Sequence, residues 1–129
     1  MIQSQSIHHV SISVTDLQKA KSFYKDVFGL EEIQRPNFDF PGAWFQIGSQ
    51  QLHLIVHPNT RTLRGSNQVN SRDGHFAVRV KDYHETIRHL EKLRIPYKEN
   101  PKSITGWPQI YCCDPDGNVI EMNVEPKGL

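Results

Sequence analysis

Thiol chemistry has almost nothing to work with in this chain: of 129 residues only two are cysteine, and these, Cys112 and Cys113, are neighbours. On an extended backbone adjacent side chains point to opposite faces, so the two are badly placed to bridge each other and no disulfide framework exists. Charge of one sign is missing as well. Fifteen Lys and Arg against fourteen Asp and Glu leave a formal charge of +1, which provides no field for gathering nucleic acid or an anionic membrane surface. No apolar run approaches the ~20 residues of a membrane span, and the opening residues lack the charged and then apolar regions of a secretory leader. What remains is the expectation of a single cytoplasmic domain, long enough for a real core, whose partners are small molecules.

The stretch that organises the rest is Asp114-Pro115-Asp116-Gly117-Asn118-Val119-Ile120-Glu121. Asp-Gly is a strong hairpin signal, because glycine accepts the positive φ that a tight turn between right-twisted strands demands. In the returning strand, Asn118 to Val124, Val119, Glu121 and Asn123 share one face, and Ile120, Met122 and Val124 share the other. Near the other end of the chain, Ile7 to Val14 alternates in the same way, with His9, Ser11 and Ser13 opposite Val10, Ile12 and Val14. Asp16 is placed to cap a helix whose apolar positions, Leu17, Ala20, Tyr24, Val27 and Phe28, recur at helical spacing until Gly29 stops it. Three strands follow, over Leu30–Arg35, Ala43–Ile47 and Gln51–His57, with Gly48-Ser49-Gln50 turning between the last two. Residues 57–74 are polar, carry Arg61, Arg64 and Arg72, and read as a long loop, a feature often functional in a compact domain.

The same order then returns. Gly74-His75-Phe76-Ala77-Val78-Arg79-Val80-Lys81-Asp82 repeats the form of residues 8–16, a histidine followed by alternation and an Asp cap at the same offset. Asp82 and Glu85 form a capping-box pattern, and Tyr83, Ile87 and Leu90 carry the apolar stripe of a second helix. A short strand, Tyr97–Asn100, comes next, and Gly106-Trp107-Pro108-Gln109-Ile110 echoes Gly42-Ala43-Trp44-Phe45-Gln46-Ile47. The fold class expected is α+β: two βαβββ modules, residues 6–57 and 74–125, in one domain spanning 1–129, their sheets forming a concave, half-barrel-like site.

In each module one sheet face is covered by its own helix and the other is left for something else. The helix-facing parity is apolar throughout, from Val10 and Leu52 to Phe76 and Met122. The opposite parity carries His9, Ser11, Ser13, Gln51, His53, His75, Ala77, Arg79, Glu121 and Asn123, joined by Trp44, Gln46, Trp107, Gln109 and Tyr111 from neighbouring strands. By the repeat, His9 corresponds to His75 and His53 to Glu121. A single histidine is more often an ordinary surface residue than a ligand. Four ligand-type side chains at repeat-equivalent positions on the polar face point to a divalent metal ion, and the lack of spaced thiols points to an open, catalytic site rather than a closed structural one.

These residues resemble the vicinal oxygen chelate superfamily, which contains glyoxalase I, fosfomycin-modifying thiol transferases, methylmalonyl-CoA epimerase, extradiol dioxygenases and bleomycin-binding proteins. The resemblance covers nearly the whole chain. It rests on His9, Val14, Asp16 and Leu17, on Phe23-Tyr24 before Gly29-Leu30, on Gly74-His75-Phe76-Ala77-Val78, and on Asp114-Pro115-Asp116-Gly117 leading to Glu121. It implies a metal (Zn, Ni, Mn, Co or Fe) held by His9, His75 and Glu121, with His53 at the variable fourth position. It also implies a substrate that chelates that metal through two neighbouring oxygens. Where glyoxalase I commonly has a carboxylate or amide at the fourth position, this chain has His53.

The expected function is a glyoxalase-type enzyme, an isomerase, lyase or thiol transferase, with Glu121 as ligand and catalytic proton shuttle. An extradiol-type dioxygenase, in which Tyr111 and the region of His57 assist, and a non-catalytic small-molecule or antibiotic-binding protein are the other two readings. Arg61, Arg64 and Arg72 are either holders of a substrate carboxylate or members of a solvated loop. A homodimer is expected, because each module leaves one polar face open.

Overall fold

The computed structural model of the chain describes residues 1–126. The alternating run near the start forms β1 (His9–Ser13), and Asp16, whose carboxylate accepts from the Lys19 N–H at 3.1 Å, caps α1 (Leu17–Asp26). Ala20, Phe23 and Tyr24 are the buried positions of α1, at the spacing of one helical face, and fully burying an aromatic ring of this size contributes about 1.5–3 kcal/mol. The helix ends where Gly29, at φ 64°, lets its own N–H reach Lys25 O and that of Leu30 reach Tyr24 O. Three strands follow: β2 (Glu31–Ile33), β3 (Gly42–Ile47) and β4 (Gln50–Ile55). The second half repeats this with β5 (His75–Arg79), α2 (Tyr83–Lys92), β6 (Tyr97–Asn100), β7 (Gln109–Cys113) and β8 (Val119–Asn123). The Asp82 carboxylate caps α2 by accepting from the Glu85 N–H at 2.8 Å.

The chain divides into two compact units, residues 1–63 and 64–129. Each holds one open four-stranded sheet, ordered β1-β4-β3-β2 in the first and β5-β8-β7-β6 in the second. In both, the first strand runs parallel to the last, and the other pairs are antiparallel. The α+β architecture of two repeated modules is therefore as the sequence indicates. No helix among the described residues is long and apolar enough to cross a membrane.

In the first unit the apolar parity of β3 and β4 makes the core: Ala43 pairs with Leu54 and Phe45 with Leu52, all fully buried, and α1 lies over these two strands. In the second unit Ile110 pairs with Met122 and Cys112 with Ile120, also buried. Cys112 and Cys113 are free thiols; burial pushes Cys112 up to about 12, which makes it an inert core residue.

Three local expectations change. The turn before β8 is not centred on Asp116-Gly117. It spans Asp114 to Gly117, with the Gly117 N–H bonded to Asp114 O at 2.9 Å. Pro115 pre-sets φ for the second turn position, and the Asp114 side chain collects the N–H of Asp116, the N–H of Asn118 and the Asn118 amide, each at 2.9 Å, so β8 resumes only at Val119.

Secondly, Trp107 is not a strand residue on the polar face. β7 begins at Gln109, and pairing sets Tyr111 opposite Glu121 as Trp44 stands opposite His53, so the structural counterpart of Trp44 is Tyr111. Hairpin register, set by distance from the turn, overrides the sequence echo.

The third change concerns the long polar segment, much of which is tied down. Val69 packs in a buried cluster with Tyr111 and Val119, and Arg64 donates to Gly117 O at 2.6 Å, to Ser66 O at 3.3 Å and to Gln68 O at 3.0 Å while pairing with Asp73 at 2.8 Å. Arg64 is thus neither a substrate holder nor a solvated side chain. Its planar fork, with donors in several directions, joins the loop to the hairpin.

Gly117 sits at φ 81°, and a Cβ built there would collide with the Ser66 carbonyl oxygen. Gly117→Ala is expected to lose roughly 1–3 kcal/mol in urea unfolding. Gly48→Ala, at a positive φ of 56° but with nothing within 4 Å, should lose less; equal losses would show that the loop does not press on the hairpin.

Candidate functional site

Parallel pairing of β5 with β8 puts Ala77 beside Glu121, so His75, two residues earlier on the same face of β5, can lean onto the carboxylate from one side while Tyr111 of β7 meets it from the other. The His75 Nε2 lies 3.3 Å from Glu121 Oε1, and its side chain keeps about a quarter of its exposure. Tyr111 donates its hydroxyl to the same oxygen at 3.1 Å, and the Asn123 amide donates to Oε2 at 2.7 Å. Asn123 is oriented in turn by Arg79, whose Nε donates to its Oδ1 at 2.6 Å. Burial and the bond to Glu121 push the Tyr111 hydroxyl up to about 12, which keeps it a donor at neutral pH.

The tautomer of His75 follows from its other nitrogen. Nδ1 lies 2.8 Å from the carbonyl oxygen of Asp73, which can only accept, so Nδ1 carries a hydrogen. Nε2 is then the nitrogen aimed at Glu121. A histidine pinned through one nitrogen by a backbone carbonyl, with the other nitrogen presented beside a carboxylate, is the arrangement by which proteins aim imidazole at a metal.

In the first unit the corresponding face is built from rings. His53, opposite Trp44 across β3–β4, is sandwiched: Trp44 lies 4.1 Å away at 3° and His9 4.1 Å away at 17°. His53 is 7% exposed, and burial first, then the charges of His9, His8 and Arg35, push it down to about 4, so the ring is neutral at pH 7. Its Nε2 faces Gln51 Oε1 at 2.8 Å. His9 Nδ1 shares a 2.8 Å bond with His8 Nδ1, and His9 is exposed.

The four ligand-type residues read from the sequence are thus brought together as two pairs, one per unit: His9 with His53, and His75 with Glu121. Among the described residues no three His, Cys, Asp or Glu side chains gather within a unit to hold a metal. The donor chemistry fits a divalent ion at His75 and Glu121, where a ring nitrogen and a carboxylate oxygen, both ligand types for such an ion, lie 3.3 Å apart. It fits less well at His53, whose Nε2 is committed to Gln51. Asp73, Asn123 and Gln51 orient the candidate ligands. Parity with Glu121 signals Asn123 in advance, whereas nothing in the sequence signals the backbone carbonyl of Asp73.

The family model for the Glyoxalase/Bleomycin resistance protein/Dioxygenase superfamily matches residues 6–122. The chain belongs to this superfamily. Within it, the chain is 33% identical over 127 residues to the trivalent organoarsenical cleaving enzyme of Bacillus sp. (strain MD1), a match covering 88% of this chain and 70% of that protein. The match to the methylmalonyl-CoA epimerase of Mus musculus, 29% over 96 residues, takes in 69% of this chain and 53% of the epimerase, so the chain spans about half of that relative. Among solved structures, a glyoxalase family protein from Bacillus anthracis superimposes with a TM-score of 0.80 at 26% identity, covering 97% of this chain and 98% of that one. A fosfomycin resistance protein, FosX, from Listeria monocytogenes, solved with Mn(II) and 1S,2S-dihydroxypropylphosphonic acid, shares the fold with a TM-score of 0.72 at 22% identity, covering 97% and 94%. The superfamily fold is therefore that of proteins with several reactions.

Glu121 and Asn123 are both buried on the polar face. Asn123→Ala removes a charge-assisted donor from Glu121 Oε2 and is expected to lower stability by about 1–3 kcal/mol at pH 7. Urea unfolding reads this, and a loss within error of zero would show that water replaces the amide freely.

Proposed function

We propose that this chain is a metal-dependent enzyme of the glyoxalase type, with His9, His75 and Glu121 as metal ligands and His53 as a weaker fourth. The observation that carries the reading is the His75–Glu121 pair. With Nδ1 committed to Asp73 O, His75 directs its Nε2 at Glu121 Oε1 from 3.3 Å, so a ring nitrogen and a carboxylate oxygen converge as two ligands of one cation would. The Mn(II) held by the fosfomycin relative supports the choice of a divalent ion. When bound, the metal supplies Lewis acidity to two neighbouring oxygens of the substrate, stabilising charge that develops on them.

The chain's own residues then have distinct tasks. Glu121 moves a proton at Oε1 or Oε2, each oxygen already fixed by one donor, Tyr111 or Asn123. Tyr111, kept protonated, fixes the orientation of the carboxylate through its hydroxyl. Trp44 and His53 form a flat, water-excluding wall in the first unit.

Elemental analysis of protein purified without chelator should return one divalent ion per chain, and His75→Ala should lose it. Glu121→Gln can still ligate through its amide oxygen but cannot take the proton. On a substrate found by screening vicinal-oxygen compounds, it should therefore lose turnover by about two to four powers of ten while keeping part of its metal. Unchanged metal content in both variants would overturn the ligand assignment; near-normal turnover of loaded Glu121→Gln would remove the proton role.

A further inference from the structure

The ring stack does not stop at Trp44. In the loop between β2 and β3, Phe38 lies 6.2 Å from Trp44 and stacks on Phe40 at 5.2 Å. The row Phe40, Phe38, Trp44, His53, His9 therefore runs unbroken from loop to candidate ligand. Phe38 is left 43% exposed, although large aromatic surface is costly to leave in water. The Arg35 guanidinium stands over this row, 4.7 Å from the Phe38 ring and 4.9 Å from the Phe40 ring, and its Nη2 donates to Phe40 O at 2.9 Å. That bond uses one of its five N–H donors, and among the described residues no carboxylate pairs with it.

The position of this cation is built. It lies against Gly42, where an added Cβ would come within 2.8 Å of Nη2 and 2.5 Å of Leu54 O, so any other residue at 42 would displace it. Gly42 is two residues before Trp44 on β3, hence on the same face as Trp44. Arg35 is also near enough to help hold His53 neutral. A guanidinium held rigid by two rings, half-desolvated and lacking an acidic partner, is an anion receptor, and the rings flanking it favour a flat apolar body.

We propose that Arg35, Phe38 and Trp44 form a substrate-selecting subsite that takes an aromatic small molecule bearing an anionic group, a carboxylate or a phosphonate. The proposal deepens the enzyme reading above and rests on it for where the reacting oxygens lie. Arg35 binds the anion, Phe38 and Trp44 hold the ring, and His53 joins the platform as a stacking partner.

The test uses the full chain, freed of metal, with Trp107→Phe so that Trp44 is the sole tryptophan. Quenching of Trp44 is titrated with benzoate, phenylphosphonate and benzyl alcohol. At least one anion should bind about tenfold or more tightly than the alcohol, and the tighter anion identifies the group. Arg35→Gln should remove that advantage and leave benzyl alcohol unchanged, whereas Phe38→Ala should weaken all three. If Arg35→Gln does not fold by circular dichroism, Arg35→Lys, which keeps charge but loses the fork, serves in its place and should lose part of the advantage. No quenching at millimolar ligand, equal binding of the alcohol and both anions, or anion binding untouched at Arg35 would overturn the proposal. Repeating the titrations after adding Mn(II) separates the two readings: Arg35-dependent binding in protein that takes up no Mn(II) upholds this subsite and overturns the metal site.

Discussion

A carboxylate buried in the middle of a strand costs several kcal/mol unless donors meet it, and Glu121 is such a carboxylate. The second unit is arranged around meeting that cost. The donors are Tyr111 from the antiparallel neighbour and Asn123 from two positions along the same strand, and the parallel neighbour sets the His75 ring beside them. All three contacts require one register of β8 between β5 and β7. A slip by one residue would put Ile120 or Met122 on the polar face and Glu121 in the core. Core and candidate site are thus two faces of one constraint, and neither can be changed without disturbing the other.

The first unit puts the same frame to a different use. His53 stands where Glu121 stands, and Trp44 where Tyr111 stands, so a hydrogen-bonded carboxylate is replaced by a neutral imidazole held between rings. One half of the duplication carries a hydrogen-bonded carboxylate, the other flat ring surface with the Arg35 guanidinium at its edge. Such divergence between two copies of one module is in keeping with a superfamily whose members share architecture and differ in reaction.

The loop that opens the second unit orients His75. Arg64 fixes Asp73 through an ion pair, and the backbone carbonyl of Asp73 fixes the tautomer of His75. Polar composition between 57 and 74 gave no hint of this, since a solvated arginine and a multiply bonded one read alike in a sequence. The return of the chain past Gly117 supplies the distant one of the carbonyls that Arg64 binds.

By itself the sequence determined the elements whose causes are local. Period-two alternation gave β1, β5 and β8, helical spacing after Asp16 and Asp82 gave α1 and α2, and the recurrence of His and Asp at the same offsets gave the repeat and the polar parity of His9, His53, His75 and Glu121. These signals are legible because propensity, capping and periodicity act over a few residues. The tertiary structure decided what depends on distant partners. It set the register that makes Tyr111 rather than Trp107 the counterpart of Trp44, the four-residue turn at Asp114–Gly117, the tautomer of His75 and the anchoring of Arg64. It also placed Arg35 over Gly42 and against Phe38 and Phe40. Hydrogen-bond partners and ring stacks are chosen by which strands lie side by side, and that is settled only when the whole sheet has formed.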